Sequence, residues 1–384
     1  MELAKRLKDL PPYLFADLDN QKKIIQKKGA DIIDLSIGDP DLEPSDKLVG
    51  YLKEALNKKQ VHRYPDYIGC KDFRDAASAW LKTRHNADVD PDSEVISLIG
   101  SKEGIAHIIW AFVNPGDVVI VPSPGYPVYF QSTTLAGGTV YSLPLNKKQG
   151  FVPDFTAIPE DVLKKAKMIF LNYPNNPTSA CVTKECFEKA IELAKKYDLI
   201  ICHDAAYIEI YDGNDKPISI LSIPGAKDVA VEFHSFSKTF SICGWRIAFA
   251  AGNKDILKGL AKMKQNLDSG AFRAVELAVA SAMTDLSCDI ERINKIYAER
   301  RKIFKAALET HGFKVLPSNA TFYLWSEIPN GENSVQFCKN LLEKAAIAAT
   351  PGVGFGAGGE GFVRFSLTSS TERLHEAAKR IAKL

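Results

Sequence analysis

Six short, almost wholly apolar runs recur along the middle of the chain and limit its architecture more than any other feature. They are VISLI from Val95, VVIV from Val118, MIFL from Met168, LIIC from Leu199, VAVEF from Val229 and IAFAA from Ile247. Runs this short, apolar on both faces, predict strands that are covered on both sides. Most are separated by longer amphipathic patterns. SKEGIAHIIWAFV follows the first, and TKECFEKAIELAKKY precedes the fourth, with Thr183 placed as an N-cap and Glu185 in the first turn. Buried strands alternating with helices describe an α/β fold around a largely parallel sheet.

After about Gly270 the pattern changes. Two long helical stretches, Phe272 to Met283 and Ile290 to His311, lead into shorter strands, TFYLW from Thr321 and FVRFSL from Phe362, and a last helix from Thr371. This reads as a smaller α+β domain. At roughly 100 to 200 residues per domain, 384 residues predict two domains. The larger is expected over residues 47–285. The smaller is expected to combine 286–384 with 1–46, because the first segment carries too little apolar pattern to fold alone.

Composition narrows the function classes. Hydrophobic residues at 46% and charged residues at 25% argue against disorder and against a membrane bundle. Forty-nine Lys and Arg against 47 Asp and Glu leave a net charge of +2, so no global field favours nucleic acid or anionic lipid. No apolar run reaches the roughly 18 residues of a membrane span, and the basic N-terminus lacks the apolar core of a signal peptide. Seven cysteines without C-x-x-C spacing fit a reducing compartment, and a cytoplasmic location is expected. No nucleic-acid or membrane partner is expected.

Four segments carry chemistry. In HSFSKTFSICGWRIAF, His234 to Phe249, Lys238 lies between two strand-like runs. It reads either as a lysine snorkelling to the surface or as an amine desolvated enough to lower its pKa and form a Schiff base. Ser235 and Arg246 bracket it with donors that a phosphate needs, which favours the second. IFLNYPNNPTSA turns at Asn172 to Pro177; turn chemistry alone explains it, and Asn176 is also placed at a strand's C-terminal end, where open α/β sheets bind ligands. In LIICHDAAYIEIYD, Asp204 ends an apolar strand and Tyr207 follows three residues later. A carboxylate there is costly unless paired, and the proton of a ring nitrogen is one suitable partner. VISLIGSKEGIAHII runs strand, Gly100, Ser101, Lys102, helix, and a helix N-terminus attracts anions.

Other features carry plainer readings. G-A-G-G-E-G from Gly356 to Gly361 matches a dinucleotide fingerprint by letter but precedes a strand, so it is read as a mobile loop over the site. The histidines and cysteines show no zinc spacing, and no metal is expected. His203 is read either as a hydrogen-bond partner of Asp204 or as packing. KKIIQKKG, beginning at Lys22, is read as a solvated helix face.

In this order and spacing, the segments resemble the fold-type I pyridoxal-phosphate enzymes, specifically the class I/II aminotransferases, over essentially the whole chain. S-F-S-K followed by G-W-R, N-x-P-x-N-P-T and D-x-x-Y carry the resemblance. It implies a large domain with a mostly parallel seven-stranded sheet. It implies that Lys238 holds pyridoxal 5'-phosphate covalently and moves the proton at the substrate's α-carbon, with Asp204 on the pyridinium nitrogen. Tyr207 and Asn176 are implied on the ring's phenolic oxygen, so Lys238, Asp204 and Tyr207 form the catalytic set. Ser101, Lys102, Ser235 and Arg246 resemble the phosphate cradle, and Tyr126 in PSPGYPVY resembles the aromatic stacked on the ring. Tyr64 in RYPDYIG resembles the tyrosine that reaches the neighbouring subunit's phosphate, which implies a homodimer. Arg364 in GFVRFSL resembles the clamp on the substrate's α-carboxylate, with Gly38 in LSIGDPD, Tyr126 and Asn176 on the same side.

PPYLFADLD, LSIGDPDLEPSD, QNLDSGAF, ATFYLW and ATPGVGFGAGGEGFVRFS are similar to LL-diaminopimelate aminotransferases. This implies LL-diaminopimelate as donor and 2-oxoglutarate as acceptor, in lysine biosynthesis. In one branch of that group an acidic residue three places after the Tyr64 equivalent reads the distal ammonium; here that place is Tyr67, beside Asp66, and another branch has a similar Y-P-x-Y pattern. Ser269 aligns with a polar residue contributed across the dimer. Arg273 is read either as a reader of a second carboxylate or as a helix-surface residue. The competing readings are an aspartate, alanine or glutamate aminotransferase, a pyridoxal-phosphate-dependent C-S β-lyase on the same fold, and a non-enzymatic sensor fused to a DNA-binding domain. The last lacks a helix-turn-helix region, since the segment before LSIGD holds Pro11 and Pro12.

Overall fold

The structure, a computed structural model, describes residues 1–10, 14–213 and 216–383. Pro11, Pro12 and Tyr13 of PPYLFADLD lie outside the described residues. Seven strands form the central sheet: β1 (Val95–Leu98), β2 (Val118–Ser123), β3 (Thr139–Pro144), β4 (Ala166–Asn172), β5 (Ile200–Asp204), β6 (Ala230–Ser235) and β7 (Ala248–Gly252). Their order is β1-β7-β6-β5-β4-β2-β3, with all pairs parallel except those made by β7. The α/β expectation with a mostly parallel seven-stranded sheet holds. The six apolar runs are six of these strands.

Alternation along each strand explains why the runs are apolar throughout. Met168 and Phe170 enter the cluster on one face with Val119, Cys202, Val231 and Ile108. Ile169 and Leu171 enter the cluster on the other face with Ile120, Ile201, Ala230 and Phe187. Each such side chain contributes about 1.5–3 kcal/mol on burial, and any polar substitution would face one apolar layer or the other. β3 lacks this signature. It lies at one edge of the sheet and buries only Leu143, so TVYSLP shows no continuous apolar run, whereas β1 at the other edge is buried throughout.

A third cluster, away from the central sheet, gathers Ile293, Tyr297, Phe304 and Leu308 of the helix Ser287–Thr310 against Leu324, Val363 and Phe365 of an antiparallel sheet and Leu374 of the last helix. Ile33 and Leu35 join this cluster, because Ile33–Asp34 pairs in parallel with Ile347–Ala348. Tyr207 and Ile210, which follow β5, also enter it, so the two cores meet beside the end of β5.

The solvated-face reading of KKIIQKKG holds for Lys23, Ile24, Gln26, Lys27 and Lys28, which are exposed, but not for Lys22: it is 8% exposed, and its ammonium lies 2.9 Å from Asp34 and 2.6 Å from Asp19. The stretch from Gly356 to Gly361 is largely exposed, with Gly359 buried, and hydrogen bonds attach it to the end of β2 and the segment after it. The Gly358 amide donates to Ser123 Oγ at 3.1 Å, and the Gly125 amide donates to the Phe355 carbonyl at 2.8 Å. No helix among the described residues is long and apolar enough to cross a membrane.

Candidate active site

A cavity of about 500 Å³ opens beyond the C-terminal ends of β4, β5 and β6, where a parallel sheet leaves its crevice. Gly38, Ser101, Lys102, Tyr126, Asn176, Asp204, Tyr207, Ser235, Lys238, Arg246 and Arg364 all line it. Tyr64 does not; it stands 90% exposed. Asp66, Tyr67, Ser269 and Arg273 are also outside the lining.

β6 ends at Ser235 and runs directly into the short helix Phe236–Thr239, which turns Lys238 into the cavity. Its Nζ donates to the Gly38 carbonyl at 2.9 Å and lies 3.4 Å from Cys243 Sγ. Gly38 is needed there: a Cβ would stand 1.8 Å from Tyr323 Oη.

Asp204 is 4% exposed at the end of β5, in register with Asn172 of β4. Burial raises its carboxyl above the ordinary aspartate range, against the hydrogen bond from Tyr129. Tyr129 Oη donates to Asp204 Oδ2 at 2.7 Å, and the Asn172 side-chain amide donates to the Asp204 carbonyl at 2.7 Å. The sequence reading singled out Tyr126 and passed over Tyr129, three residues later on the helix Val128–Ala136. A tyrosine in an apolar helix stretch carries no local sign that its hydroxyl meets a carboxylate.

Arg364 reaches the same space from the strand Phe362–Ser366. Its Nη1 donates to Asn176 Oδ1 at 2.9 Å and its Nη2 to the Ser36 carbonyl at 2.7 Å. The guanidinium lies between two rings, 4.1 Å from the centroid of Tyr323 and 4.7 Å from that of Phe355. Its Nε is buried without a hydrogen-bond partner, which leaves one of its donors unsatisfied. Tyr323 is a second tyrosine that sequence reasoning missed. Its hydroxyl lies 2.8 Å from that of Tyr207 and sets that side chain's direction.

A third group of donors faces the helix Ser101–Phe112. Gly100 has φ 84°, and a Cβ there would stand 2.2 Å from Arg246 Nη2. Arg246 Nη1 donates to the Cys243 carbonyl at 2.8 Å, which keeps the guanidinium beside the helix N-terminus, Lys102 and Ser235. Helix amides, two cations and serine hydroxyls together suit a phosphate. His203 does not reach the Asp204 carboxylate. Its two ring nitrogens lie 2.8 Å from Glu232 Oε2 and 3.0 Å from the Tyr173 carbonyl, on the opposite side of the strand. Away from the cavity, Glu103, His107 and Asp268 could together hold a cation, but Lys264 Nζ already lies 3.1 Å from each carboxylate.

A family model described as aminotransferase class I and II matches residues 30–381. The chain belongs to this family of pyridoxal-phosphate-dependent enzymes. LL-diaminopimelate aminotransferase of Aquifex aeolicus is 52% identical to this aminotransferase over 383 residues, covering 100% of this chain and 99% of that one. The enzyme of the same name from Syntrophobacter fumaroxidans is 49% identical, covering 99% and 98%. Among solved structures, substrate-bound BacF from Bacillus subtilis superposes with a TM-score of 0.95 at 37% identity, covering 100% and 98%. An aspartate aminotransferase mutant from Thermus thermophilus gives 0.93 at 26% identity, covering 100% and 99%. The cavity suits the family's cofactor: it offers a phosphate-type donor set, a buried carboxylate for a protonated ring nitrogen, and a lysine amine within one space.

Proposed function

We propose that this aminotransferase takes its amino group from LL-diaminopimelate and passes it to 2-oxoglutarate. The observation that carries this reading is the full-length likeness to LL-diaminopimelate aminotransferases, joined to a cavity whose arginine keeps an unsatisfied donor. When bound, pyridoxal phosphate supplies the electron sink that makes removal of the α-proton feasible.

The chain's own groups do the rest. Lys238 Nζ would be the base that takes the substrate's α-proton and holds it. Asp204, held in place by Tyr129 and Asn172, would keep a ring nitrogen protonated. Asn176 and Tyr207 would present an amide and a hydroxyl to a ring oxygen. Ser101, Lys102, Ser235 and Arg246 would hold a phosphate, and Tyr126 would pack against the ring. Arg364 offers a planar fork to the α-carboxylate, with Gly38 beside it, and cation–π contacts with Tyr323 and Phe355 help hold that fork in place.

The reading extends to assembly. Two cores support a division into residues 47–285 and a discontinuous unit of 1–46 with 286–384. Tyr64, Tyr67, Leu267 and Phe272 are exposed large apolar side chains, and Gly270 packs against the Asp66 carbonyl, which brings the two segments together. A cytoplasmic homodimer in which this surface meets its copy, and Tyr64 completes the partner's phosphate site, accounts for that exposure.

A panel of amino donors with 2-oxoglutarate tests the proposal. Turnover is expected with LL-diaminopimelate; activity across the panel with none on LL-diaminopimelate overturns it.

A further inference from the structure

The N-terminal helix Leu14–Lys27 is tied to the substrate end of the cavity by a continuous polar chain. Arg364 Nη2 donates to the Ser36 carbonyl at 2.7 Å, and Ser36 donates through its amide and hydroxyl to Asp34 Oδ1 at 2.9 and 2.5 Å. The other oxygen of Asp34 accepts from Lys22 Nζ at 2.9 Å, and the same ammonium lies 2.6 Å from Asp19 Oδ1. Lys22 is nearly buried. Asp19 keeps 51% of its side chain exposed and lines the cavity.

One ammonium between two carboxylates leaves this triad with one surplus negative charge. Asp34 has both oxygens engaged, by Ser36 and by Lys22, whereas Asp19 meets Lys22 through Oδ1. The surplus is therefore presented at Asp19, on the cavity wall. The other lining carboxylates are Asp204, buried under the Tyr129 hydroxyl, and Asp39, beside Gly38. Tyr67, Asp66 and Arg273 are outside the cavity of this chain.

We infer that Asp19 reads a distal cationic group on the amino-acid substrate, with Lys22 as the positioning residue that holds it in the wall. The inference rests on the reading of the substrate as one with a second ammonium, of which LL-diaminopimelate is an example. A carboxylate meeting an ammonium makes a charge-assisted hydrogen bond, and a substrate without that group gains nothing from Asp19. Specificity then appears as a difference between substrates, not as a change common to all.

The test measures kcat/KM for LL-diaminopimelate, lysine, ornithine, glutamate and alanine with an oxo-acid acceptor. It compares the wild-type enzyme with Asp19→Asn, Asp19→Glu and Asp39→Asn. Asp19→Asn is expected to lower kcat/KM for the distally cationic donors roughly 10- to 100-fold, chiefly through KM. It leaves alanine within about threefold and does not impair glutamate, and Asp19→Glu recovers most of the selectivity. Equal losses on all donors, or a selective loss in Asp39→Asn instead, overturn the inference. Refusal of LL-diaminopimelate alongside Asp19-dependent use of lysine or ornithine overturns the substrate reading alone. Refusal of every distally cationic donor overturns both.

Discussion

Arg364 and Asn176, 188 positions apart in the chain, meet at 2.9 Å between Nη1 and Oδ1. The strand that carries the arginine belongs to the small antiparallel sheet, and the asparagine sits on the turn after β4 of the large one. One hydrogen bond therefore spans the crevice in which a substrate must sit. A carboxylate entering there finds the fork aimed by the Ser36 carbonyl and held against the rings of Tyr323 and Phe355.

Replacing Arg364 by lysine keeps the charge and removes the fork. Losing a charged hydrogen bond of this kind costs about 1.5–3 kcal/mol, so KM for every amino donor is expected to rise by roughly one to two orders of magnitude. Steady-state kinetics on several donors check this. An unchanged KM for all of them would show that another group holds the α-carboxylate.

Lys238→Ala is expected to abolish turnover together with the visible absorbance of the lysine-bound cofactor, while near-ultraviolet circular dichroism stays native. Retained transamination would remove Lys238 from the proton-transfer step.

Asp204 sets stability against function. Burial raises its carboxyl, so the folded state holds the proton more tightly than an unfolded aspartate with a pKa of about 3.9. The stability this confers is complete below about pH 4 and is lost as pH rises through the raised value. Asp204→Asn cannot ionise. The cofactor-free variant is therefore expected to melt higher than wild type at pH 7, with the difference closing near about pH 4. The same change is expected to lower kcat/KM by about 100-fold or more, since a neutral amide does not keep a ring nitrogen protonated. Scanning calorimetry across pH and steady-state rates read the two effects separately; no stability gain at pH 7 would contradict the burial argument.

Lys22 behaves in the opposite way. Burial lowers its ammonium, but hydrogen bonds to Asp19 and Asp34 outweigh burial and leave the pKa raised. Its contribution is thus complete below the unfolded lysine value of about 10.4 and is lost only as pH rises past the higher folded value. Lys22→Met is expected to destabilise by about 1–3 kcal/mol, below the cost for a fully buried pair because both carboxylates keep contact with water. Urea unfolding at pH 6 to 9 should show a loss that does not change across that window.

Much of the site was legible because its residues follow strands. Asp204, Asn176, Ser235 and Lys238 each lie at or just past the end of an apolar run, and a parallel sheet brings those ends to one edge whatever the strand order. Tyr129 and Tyr323 were missed for the converse reason: each acts through a hydroxyl whose partner, Asp204 or Tyr207, lies 75 or 116 residues away. Lys22 departs from its otherwise exposed run because its ammonium turns in to meet Asp34, and nothing local marks which lysine of a charged helix face will do so. β3 left no apolar run because it buries only Leu143, unlike β1 at the other edge of the sheet.

By itself the sequence determined the α/β architecture, the family and the chemical types present, since apolar period and motif spacing act within a few residues. Only the tertiary structure decided which distant groups meet: Arg364 with Ser36, Tyr129 with Asp204, Lys22 with Asp34 and, through it, Asp19 with the cavity. Those contacts depend on sheet order, strand register and the path of the N-terminal segment. Each is set by the packing of two cores, and no local pattern of residues encodes it.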